Sequence, residues 1–237
     1  MFDCSISAVI PVYNEEEYLH ITMQQVFSVL SDNFPDYEII FVNDGSRDNS
    51  SDILFEFERR YPCVKVLQNN SNKGFAAALK KGLLAAVKEI IFYIDCDLPF
   101  DPRFITQAAP LLKTHDIVIA RKDPWKNPLR RIVSLCYNSI VKYILKTGVS
   151  TVNAGAKAFK IRVLKEIELK SSSAFIDAEL LFKAKKMGCK IKEIPCTYQK
   201  RKFGYSKTYN IRNLLLAYFD ILTYCFRKLT CEFTKCR

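Results

Sequence analysis

Long apolar runs, paired cysteines and low-complexity stretches are all missing from this sequence, and each absence excludes a class of protein. No apolar run approaches the ~18 residues that span a bilayer, and no basic leader precedes the first strand-like run, so we expect neither a membrane-spanning helix nor a signal peptide. The nine cysteines form no C-x-x-C pair and both histidines lie far from them, which excludes zinc-site spacing and indicates free thiols. We therefore expect a cytoplasmic protein, or a peripheral one on the cytosolic face of a membrane.

Basic residues outnumber acidic residues by 36 to 25, which gives a formal net charge of +11 over 237 residues. A chain with this excess attracts phosphate-bearing molecules such as nucleotides, phospholipids and nucleic acids. No recognised nucleic-acid-binding motif is present, so we expect no nucleic-acid partner. The alternative interpretation is that the lysines and arginines are scattered over the surface and only maintain solubility.

Short apolar runs alternate with helix-like segments through the first 120 residues. Apolar residues recur at helical spacing in the longer segments, whereas the short runs have the length and composition of buried strands. Strands are predicted at 6–10, 38–43, 64–67 and 89–94. This alternation predicts an α/β fold with a mostly parallel, Rossmann-like sheet flanked by helices. Such sheets bind ligands beyond the carboxyl ends of their strands.

The second half of the chain is predicted to continue the same domain. Helices are expected at 104–112, 129–145 and 177–187, and strands at 116–120, 156–159 and 190–194. We assign residues 1–210 to one domain and residues 211–237 to a C-terminal extension. The extension combines apolar and basic residues, which is typical of an amphipathic helix at a membrane surface. Burial against the domain or against a partner subunit is the alternative.

Polar clusters follow the first four predicted strands, at 11–15, 43–46, 72–74 and 95–97. Each cluster alone has the composition of an ordinary turn, but a parallel sheet brings all four to one edge. Asp95 and Asp97 stand one residue apart after a buried strand, so their carboxylates can converge on one hard cation, Mg²⁺ or Mn²⁺. A cation held there would bridge to a diphosphate.

The clusters, taken in order, resemble those of a known family. The segments AVIPVYNE (8–15), VNDGS (42–46), NKG (72–74) and DCD (95–97) resemble the family 2 glycosyltransferases, which have the GT-A fold. Three further segments are similar to the dolichyl-phosphate mannose and glucose synthase branch of that family: NAGAKAF (153–159), FIDAELL (175–181) and RKFGYSK (201–207). The resemblance covers residues 5–210 and implies a GT-A domain.

The resemblance implies a metal-dependent hexosyltransferase that uses a nucleotide-diphosphate sugar, either GDP-mannose or UDP-glucose. It implies that Asp95 and Asp97 hold Mg²⁺ or Mn²⁺ and that Asp97, Arg201 and Lys207 act in catalysis. The donor nucleotide would be bound by Pro11, Tyr13, Asn14, Glu15, Val42, Asp44, Asp95, Cys96 and Arg121. Arginine and lysine suit this chemistry because they bind phosphate oxygens. A solvated basic loop is the alternative interpretation of residues 200–207.

The acceptor implied by the branch is a polyprenyl (dolichyl-type) phosphate. Its phosphate oxygen is already anionic, so direct attack needs no general base and would invert the anomeric configuration. The protein's task is then positioning and charge stabilisation. Asp177 or Glu179 would orient the acceptor or a basic side chain, although either carboxylate also suits the positive end of a helix dipole.

The chain departs from the branch pattern at two positions. Pro99 stands where a glutamine often helps to bind the metal, and Thr151 stands where an aspartate often precedes the glycine of the 153–159 segment. Two other functions stay open on the sequence alone. One is a family 2 transferase acting on a soluble glycan or a protein, and the other is a non-catalytic nucleotide-sugar-binding or scaffold protein.

Overall fold

The computed structural model describes residues 1–122, 148–201 and 203. The helix predicted at 129–145, the motif residues 204–207 with Lys207, and the extension 211–237 lie outside the described residues. Within them the strands are β1 (Ser5–Val12), β2 (Asp36–Asn43), β3 (Val64–Gln68), β4 (Ile90–Ile94), β5 (Ile117–Lys122), β6 (Ala156–Lys160) and β7 (Ile191–Cys196). The helices are α1 (Glu16–Asn33), α2 (Ser50–Arg60), α3 (Phe75–Ala85), α4 (Phe104–Leu111), α5 (Ile161–Lys165) and α6 (Ile176–Lys186).

The described strands form one mostly parallel sheet in the order β3-β2-β1-β4-β6-β5-β7. The first four strands are parallel neighbours in the order β3-β2-β1-β4, so their carboxyl ends share one edge. β6 lies between β4 and β5 and runs antiparallel to both, and β7 is parallel to β5. The predicted α/β class is confirmed, and the antiparallel strand is a feature that the alternation of segments did not indicate.

The core explains why these segments fold as strands. β4 is buried along its whole length, as expected for a strand covered on both faces by helices. α3 packs across β1 and β2, where Gly82 lets the helix approach closely: a Cβ there would lie 2.5 Å from Val9 and 2.9 Å from Val42. Among the described residues, no helix combines the length and apolar character needed to cross a bilayer.

Candidate functional site

All four predicted polar clusters lie at the carboxyl edge of strands β1 to β4. The first two are joined by hydrogen bonds between the loop after β1 and the loop after β2. The Asn14 backbone N–H donates to Ser46 Oγ at 2.9 Å, and the Arg47 N–H donates to Asn14 Oδ1 at 2.7 Å. The Glu15 N–H donates to Ser50 Oγ at 3.0 Å. Asn14 has a φ of 51°, in the left-handed region that asparagine tolerates.

Asp44 ties the loop after β2 to the loop that precedes α3. Its Oδ1 accepts hydrogen bonds from Asn69 Nδ2 at 2.8 Å and from the Lys73 N–H at 3.0 Å, and its Oδ2 accepts the Gly74 N–H at 2.8 Å. The residue is only 3% exposed. A carboxylate suits this place because both of its oxygens accept. Asp44 therefore has a structural role: it fixes the two loops that line the site, independently of any contact with a donor.

Asp44→Asn is expected to lower the free energy of unfolding by about 1–3 kcal/mol. The amide keeps one accepting oxygen and turns its NH₂ group toward one of the present donors, so at least one part-buried donor loses its acceptor in Asp44. Urea unfolding monitored by circular dichroism measures the change. The matched control is Asp3→Asn, because Asp3 is exposed and such substitutions stay within about 0.5 kcal/mol. Equal stability of the two variants would contradict the structural role of Asp44.

The Asp95 side chain is enclosed on two sides. The Tyr93 hydroxyl donates a hydrogen bond to Asp95 Oδ1. On the other side lies Gly155, whose Cα would carry a Cβ only 2.3 Å from Asp95 Oδ2. Burial, and next the charge of Asp97, raise the pKa of Asp95 to about 7. A cation bound here would offset the effect of the Asp97 charge on Asp95.

A buried ion pair lies beneath this carboxylate. Lys157 Nζ is 2.9 Å from Asp177 Oδ1, and the two side chains are 0% and 7% exposed. The ammonium also donates to the Ala154 carbonyl at 2.6 Å and lies 5.1 Å from the centroid of the Tyr93 ring. Burial raises the pKa of Asp177, although Lys157 opposes the shift. Asp177 thus pairs with a basic side chain, and its role in orienting the acceptor stays a prediction.

Arg201 connects the second carboxylate to the loop after β1. Its Nη1 lies 3.2 Å from Asp97 Oδ2, and its Nη2 pairs with Glu15 Oε2. Its Nε donates to the Phe203 carbonyl at 2.7 Å, and its guanidinium carbon lies 5.1 Å from the centroid of the Tyr18 ring. Burial acts against the charge, but Glu15 and Asp97 outweigh it and raise the pKa of Arg201. Three predicted site residues, Glu15, Asp97 and Arg201, therefore form one cluster, the Arg201 cluster.

Asp95 and Asp97 are the described residues that fit a divalent cation. In residues 1–122, 148–201 and 203, no group of three or more His, Cys, Asp or Glu side chains is arranged for a metal. Two carboxylates nevertheless suit Mg²⁺ or Mn²⁺, because such ions are commonly held by one or two carboxylates together with water and the substrate's phosphate oxygens. The donor set therefore fits an ion that binds with a diphosphate.

Two predicted donor-binding residues have side chains in the core. Val42 is fully buried where α3 passes, and Cys96 is 4% exposed beside Thr22. The Thr22 hydroxyl donates to the Cys96 carbonyl at 2.6 Å, and burial raises the pKa of the Cys96 thiol far above its usual range. If Val42 or Cys96 contacts the donor, the contact is therefore made by its main-chain atoms. The sequence pattern did not distinguish main-chain from side-chain contacts.

Three more predicted donor-binding residues, Pro11, Tyr13 and Arg121, lie at the same edge of the sheet. Pro11 and Tyr13 are half-buried at the end of β1. Arg121 is exposed near the end of β5, in register with Pro195 of β7. Because β5 runs parallel to β4 across β6, Arg121 stands at the same edge as Asp95.

Glu179 has the contacts of a structural carboxylate. It accepts the N–H groups of Lys170 at 2.9 Å and Ser171 at 2.7 Å, and it pairs with Lys183 at 2.6 Å. Burial acts to raise its pKa, but these donors outweigh burial and lower it. The carboxylate stands in the first turn of α6 and fixes the preceding loop. These contacts favour the helix-terminal alternative for Glu179 over acceptor orientation.

The two residues that depart from the branch pattern, Pro99 and Thr151, both form hydrogen bonds within the chain. The Pro99 carbonyl accepts the Gln199 N–H at 2.8 Å, which anchors the segment that carries Arg201. The Thr151 N–H donates to Glu193 Oε1 at 2.9 Å. Pro99 also lies against Gly155, where an added Cβ would stand 2.6 Å from Pro99 Cγ.

Sequence reasoning missed the residues that support the site from below. Tyr93, Gly155 and Lys157 surround Asp95, and Tyr18 lies under Arg201. One signal was available: Lys157 lies between two alanines in a predicted buried strand, where a lysine requires a buried partner. Apart from the hydrogen bond between Tyr93 and Asp95, which are two residues apart, the other contacts join distant parts of the chain and leave no local pattern.

An acidic pair at the carboxyl end of β4, faced by a basic segment across a mostly parallel sheet, is the architecture of a GT-A glycosyltransferase. The chain belongs to Glycosyl transferase family 2, whose family model matches residues 7–167. The family predicted from the sequence motifs is thereby confirmed. Membership of this family identifies the chain as a transferase.

Two relatives and one solved structure are similar to most of the chain. A dolichyl-phosphate beta-glucosyltransferase, ALG5A of Trichomonas vaginalis, is 27% identical over 80% of the chain and 64% of its own length. The undecaprenyl-phosphate 4-deoxy-4-formamido-L-arabinose transferase of Serratia proteamaculans is 27% identical over 92% of the chain and 67% of its own length. The chain thus spans about two thirds of each. Both names belong to the polyprenyl-phosphate branch that the motifs indicated.

The solved structure supports the fold. Glucosyl-3-phosphoglycerate synthase from Mycobacterium tuberculosis, in complex with Mn²⁺, UDP-glucose and phosphoglyceric acid, has a TM-score of 0.74. It is 18% identical and covers 94% of this chain and 80% of its own. At this identity the likeness establishes the GT-A fold alone.

Proposed function

We propose that the protein transfers a hexose from a nucleotide-diphosphate sugar, GDP-mannose or UDP-glucose, to a polyprenyl phosphate with inversion. The observation that carries the proposal is the meeting of Asp97, Glu15 and Arg201 beside Asp95 at the carboxyl edge of the sheet. This cluster offers oxygen ligands for a cation and a guanidinium for phosphate oxygens within one site. The names of the two polyprenyl-phosphate transferases support the choice of acceptor.

The residues divide the work of such a transfer. Mg²⁺ or Mn²⁺, when bound, supplies positive charge that offsets the charge developing on the leaving diphosphate. Asp95 and Asp97 would hold the ion, with Tyr93 fixing one oxygen of Asp95. Arg201 presents two nitrogens, and a guanidinium can bind phosphate oxygens in a bidentate manner. Lys207 and Arg121 are proposed as further phosphate contacts.

The acceptor determines where the enzyme works. Polyprenyl phosphates reside in membranes, so we place the protein as a peripheral enzyme on the cytosolic membrane face. The basic and apolar residues of 211–237 are the proposed contact with the membrane or with a membrane-anchored partner subunit.

Thermal unfolding with and without ligands tests the donor site. We expect one nucleotide pair, either GDP with GDP-mannose or UDP with UDP-glucose, to raise the melting temperature in the presence of Mn²⁺. A ligand at 100 times its Kd stabilises the folded state by about 2.7 kcal/mol. The absence of any shift with all four nucleotides would refute the donor site. Radiolabelled transfer to a short polyprenyl phosphate, compared with soluble sugars and a protein acceptor, then identifies the acceptor.

Gly155→Ala is expected to remove most of the Mn²⁺-dependent stabilisation by nucleotide and to lower transfer on the order of 10²-fold. The added Cβ would stand 2.3 Å from Asp95 Oδ2 and must displace it, and misplacement by about 1 Å is enough for a loss of that size. Overpacking also costs about 1–3 kcal/mol of stability. The control is Gly188→Ala, because the added Cβ meets nothing within 4 Å while the φ of 79° imposes a backbone cost in stability away from the site. Full cation-dependent stabilisation in Gly155→Ala would contradict the placement of Asp95.

A further inference from the structure

The described residues 199–201 and 203, which we call the arm, cross the carboxyl edge of the sheet. The Gln199 N–H donates to the Pro99 carbonyl at 2.8 Å, which fixes the start of the arm two residues beyond Asp97. Arg201 then reaches Asp97 and Glu15, and its side chain is only 18% exposed. The arm therefore lies directly over the carboxylates that are proposed to bind cation and donor.

Tyr18 makes three contacts with this arm from the first turn of α1. Its hydroxyl accepts the Phe203 N–H at 2.8 Å, and its ring lies beneath the Arg201 guanidinium at 5.1 Å. The Phe203 ring meets the Tyr18 ring edge-on at a centroid distance of 5.3 Å. A cation over an aromatic face and an edge-to-face ring pair are both attractive arrangements. Tyr18 thus contacts the arm at two residues, Arg201 and Phe203.

The next turn of α1 is hydrogen-bonded to the loop that carries Asp95 and Asp97. Thr22 Oγ1 donates to the Cys96 carbonyl at 2.6 Å and lies 3.0 Å from the Tyr18 carbonyl. Tyr18 and Thr22 are both buried and are separated by one helical turn. One rigid face of α1 therefore fixes both the loop of Asp95 and Asp97 and the arm of Arg201.

We infer that Tyr18 is a positioning residue that holds Arg201 over the donor site through its ring and its hydroxyl. The effect of Tyr18 on catalysis rests on the proposed function. Its role in holding the arm in place rests on the contacts described above. Arg201 needs such support because a long arginine side chain has many rotamers, and only a fixed guanidinium stabilises developing charge without reorganisation. Glu15 and Asp97 set its charge environment, whereas Tyr18 sets its location.

Trypsin cleavage after Lys200 and Arg201, followed by mass spectrometry of the intact protein, tests the structural part. Tyr18→Leu is expected to increase the cleavage rate at these two bonds about tenfold, because the arm opens more often when the ring and hydroxyl are lost. Tyr18→Phe keeps the ring and should recover most of the protection. Tyr61→Leu is the matched control, since Tyr61 packs against Phe27 and has no described contact with the arm.

A second variant keeps the test valid if Tyr18→Leu does not fold. Phe203 is 40% exposed, so Phe203→Ala leaves the core intact while removing the ring contact from the side of the arm. It should increase the same two cleavages, by less than Tyr18→Leu does. Cleavage at the wild-type rate in Phe203→Ala, with Tyr18→Leu either unfolded or also unchanged, would overturn the inference.

Steady-state kinetics test the catalytic part. Tyr18→Leu should lower kcat on the order of 10²-fold while the donor Kd changes less than about threefold, because the lost interaction acts after binding. In an Arg201→Ala background the same substitution should change kcat by less than about twofold, since Tyr18 acts through Arg201. Equal losses in both backgrounds would show that Tyr18 acts independently and refute its positioning role. If the wild-type protein transfers no hexose, the proposed function fails, and the cleavage rates alone decide whether Tyr18 docks the arm.

Discussion

Asp97→Asn is expected to reduce hexose transfer by about 10³-fold or more and to remove the Mn²⁺-dependent part of nucleotide stabilisation. The amide keeps the size of the side chain but removes the charge on which a hard cation depends, and metal stabilisation of the leaving group contributes several kcal/mol. Each 1.36 kcal/mol corresponds to a tenfold change in rate. Transfer of radiolabelled hexose and thermal unfolding with UDP or GDP, each with and without Mn²⁺, measure the two effects.

The matched control is Asp101→Asn. Asp101 follows Asp97 by one short loop and pairs with the exposed Arg103, so its loss removes the same charge without touching the site. The unliganded Asp97→Asn protein should stay within about 1 kcal/mol of wild type, because Asp97 and Arg201 form a partly exposed pair. Retention of metal-dependent binding in Asp97→Asn, with Asp101→Asn also normal, would exclude Asp97 as a metal ligand.

Lys157→Met is expected to lower the free energy of unfolding at pH 8 by about 3–5 kcal/mol. The substitution fills similar space but leaves Asp177 as a buried charge without its ammonium partner. Lys192→Met is the matched control, because Lys192 is exposed on β7 and its loss should change stability by less than about 0.5 kcal/mol. Urea unfolding at fixed pH measures both. A loss below about 1 kcal/mol for Lys157→Met would contradict the buried pair.

The loss in Lys157→Met should shrink as the pH falls from 8 to 5. Burial already raises the pKa of Asp177 against the opposing effect of Lys157, and removing the lysine raises it further. Between the unfolded and folded pKa values the native state binds more protons, so its stability increases as the pH decreases. The double variant Lys157→Met with Asp177→Asn carries neither charge of this pair and should lose the part of the pH dependence that comes from Asp177.

The carboxyl-edge location of the site could be predicted because it depends on local patterns. Buried strands leave continuous apolar runs, and polar clusters such as 43–46 and 95–97 mark where those runs end. Once strands alternate with helices, a parallel sheet and a shared edge follow from connection rules alone. The pairing of Arg201 with this edge was expected only through family resemblance, since it joins residues 104 positions apart.

The supporting contacts could not be predicted because they depend on strand order. β6 is inserted antiparallel beside β4, which brings the start of the strand, Ala156, into register with Ile94. That pairing places Gly155 against Asp95 and Lys157 beneath Tyr93. Nothing in the local sequence of 153–159 specifies its neighbour in the sheet, because side-chain alternation is the same in either direction.

The position of β6 also affects how the chain folds during synthesis. β4 ends at Ile94, yet the strand that pairs with its outer edge begins at Ala156. At ~5–20 residues per second, the ribosome needs several seconds to deliver that partner. During this interval the nascent chain carries a fully apolar strand with one row of unpaired backbone groups, a recognised template for aggregation. Chaperone dependence should therefore be greatest for nascent chains that end between these two strands.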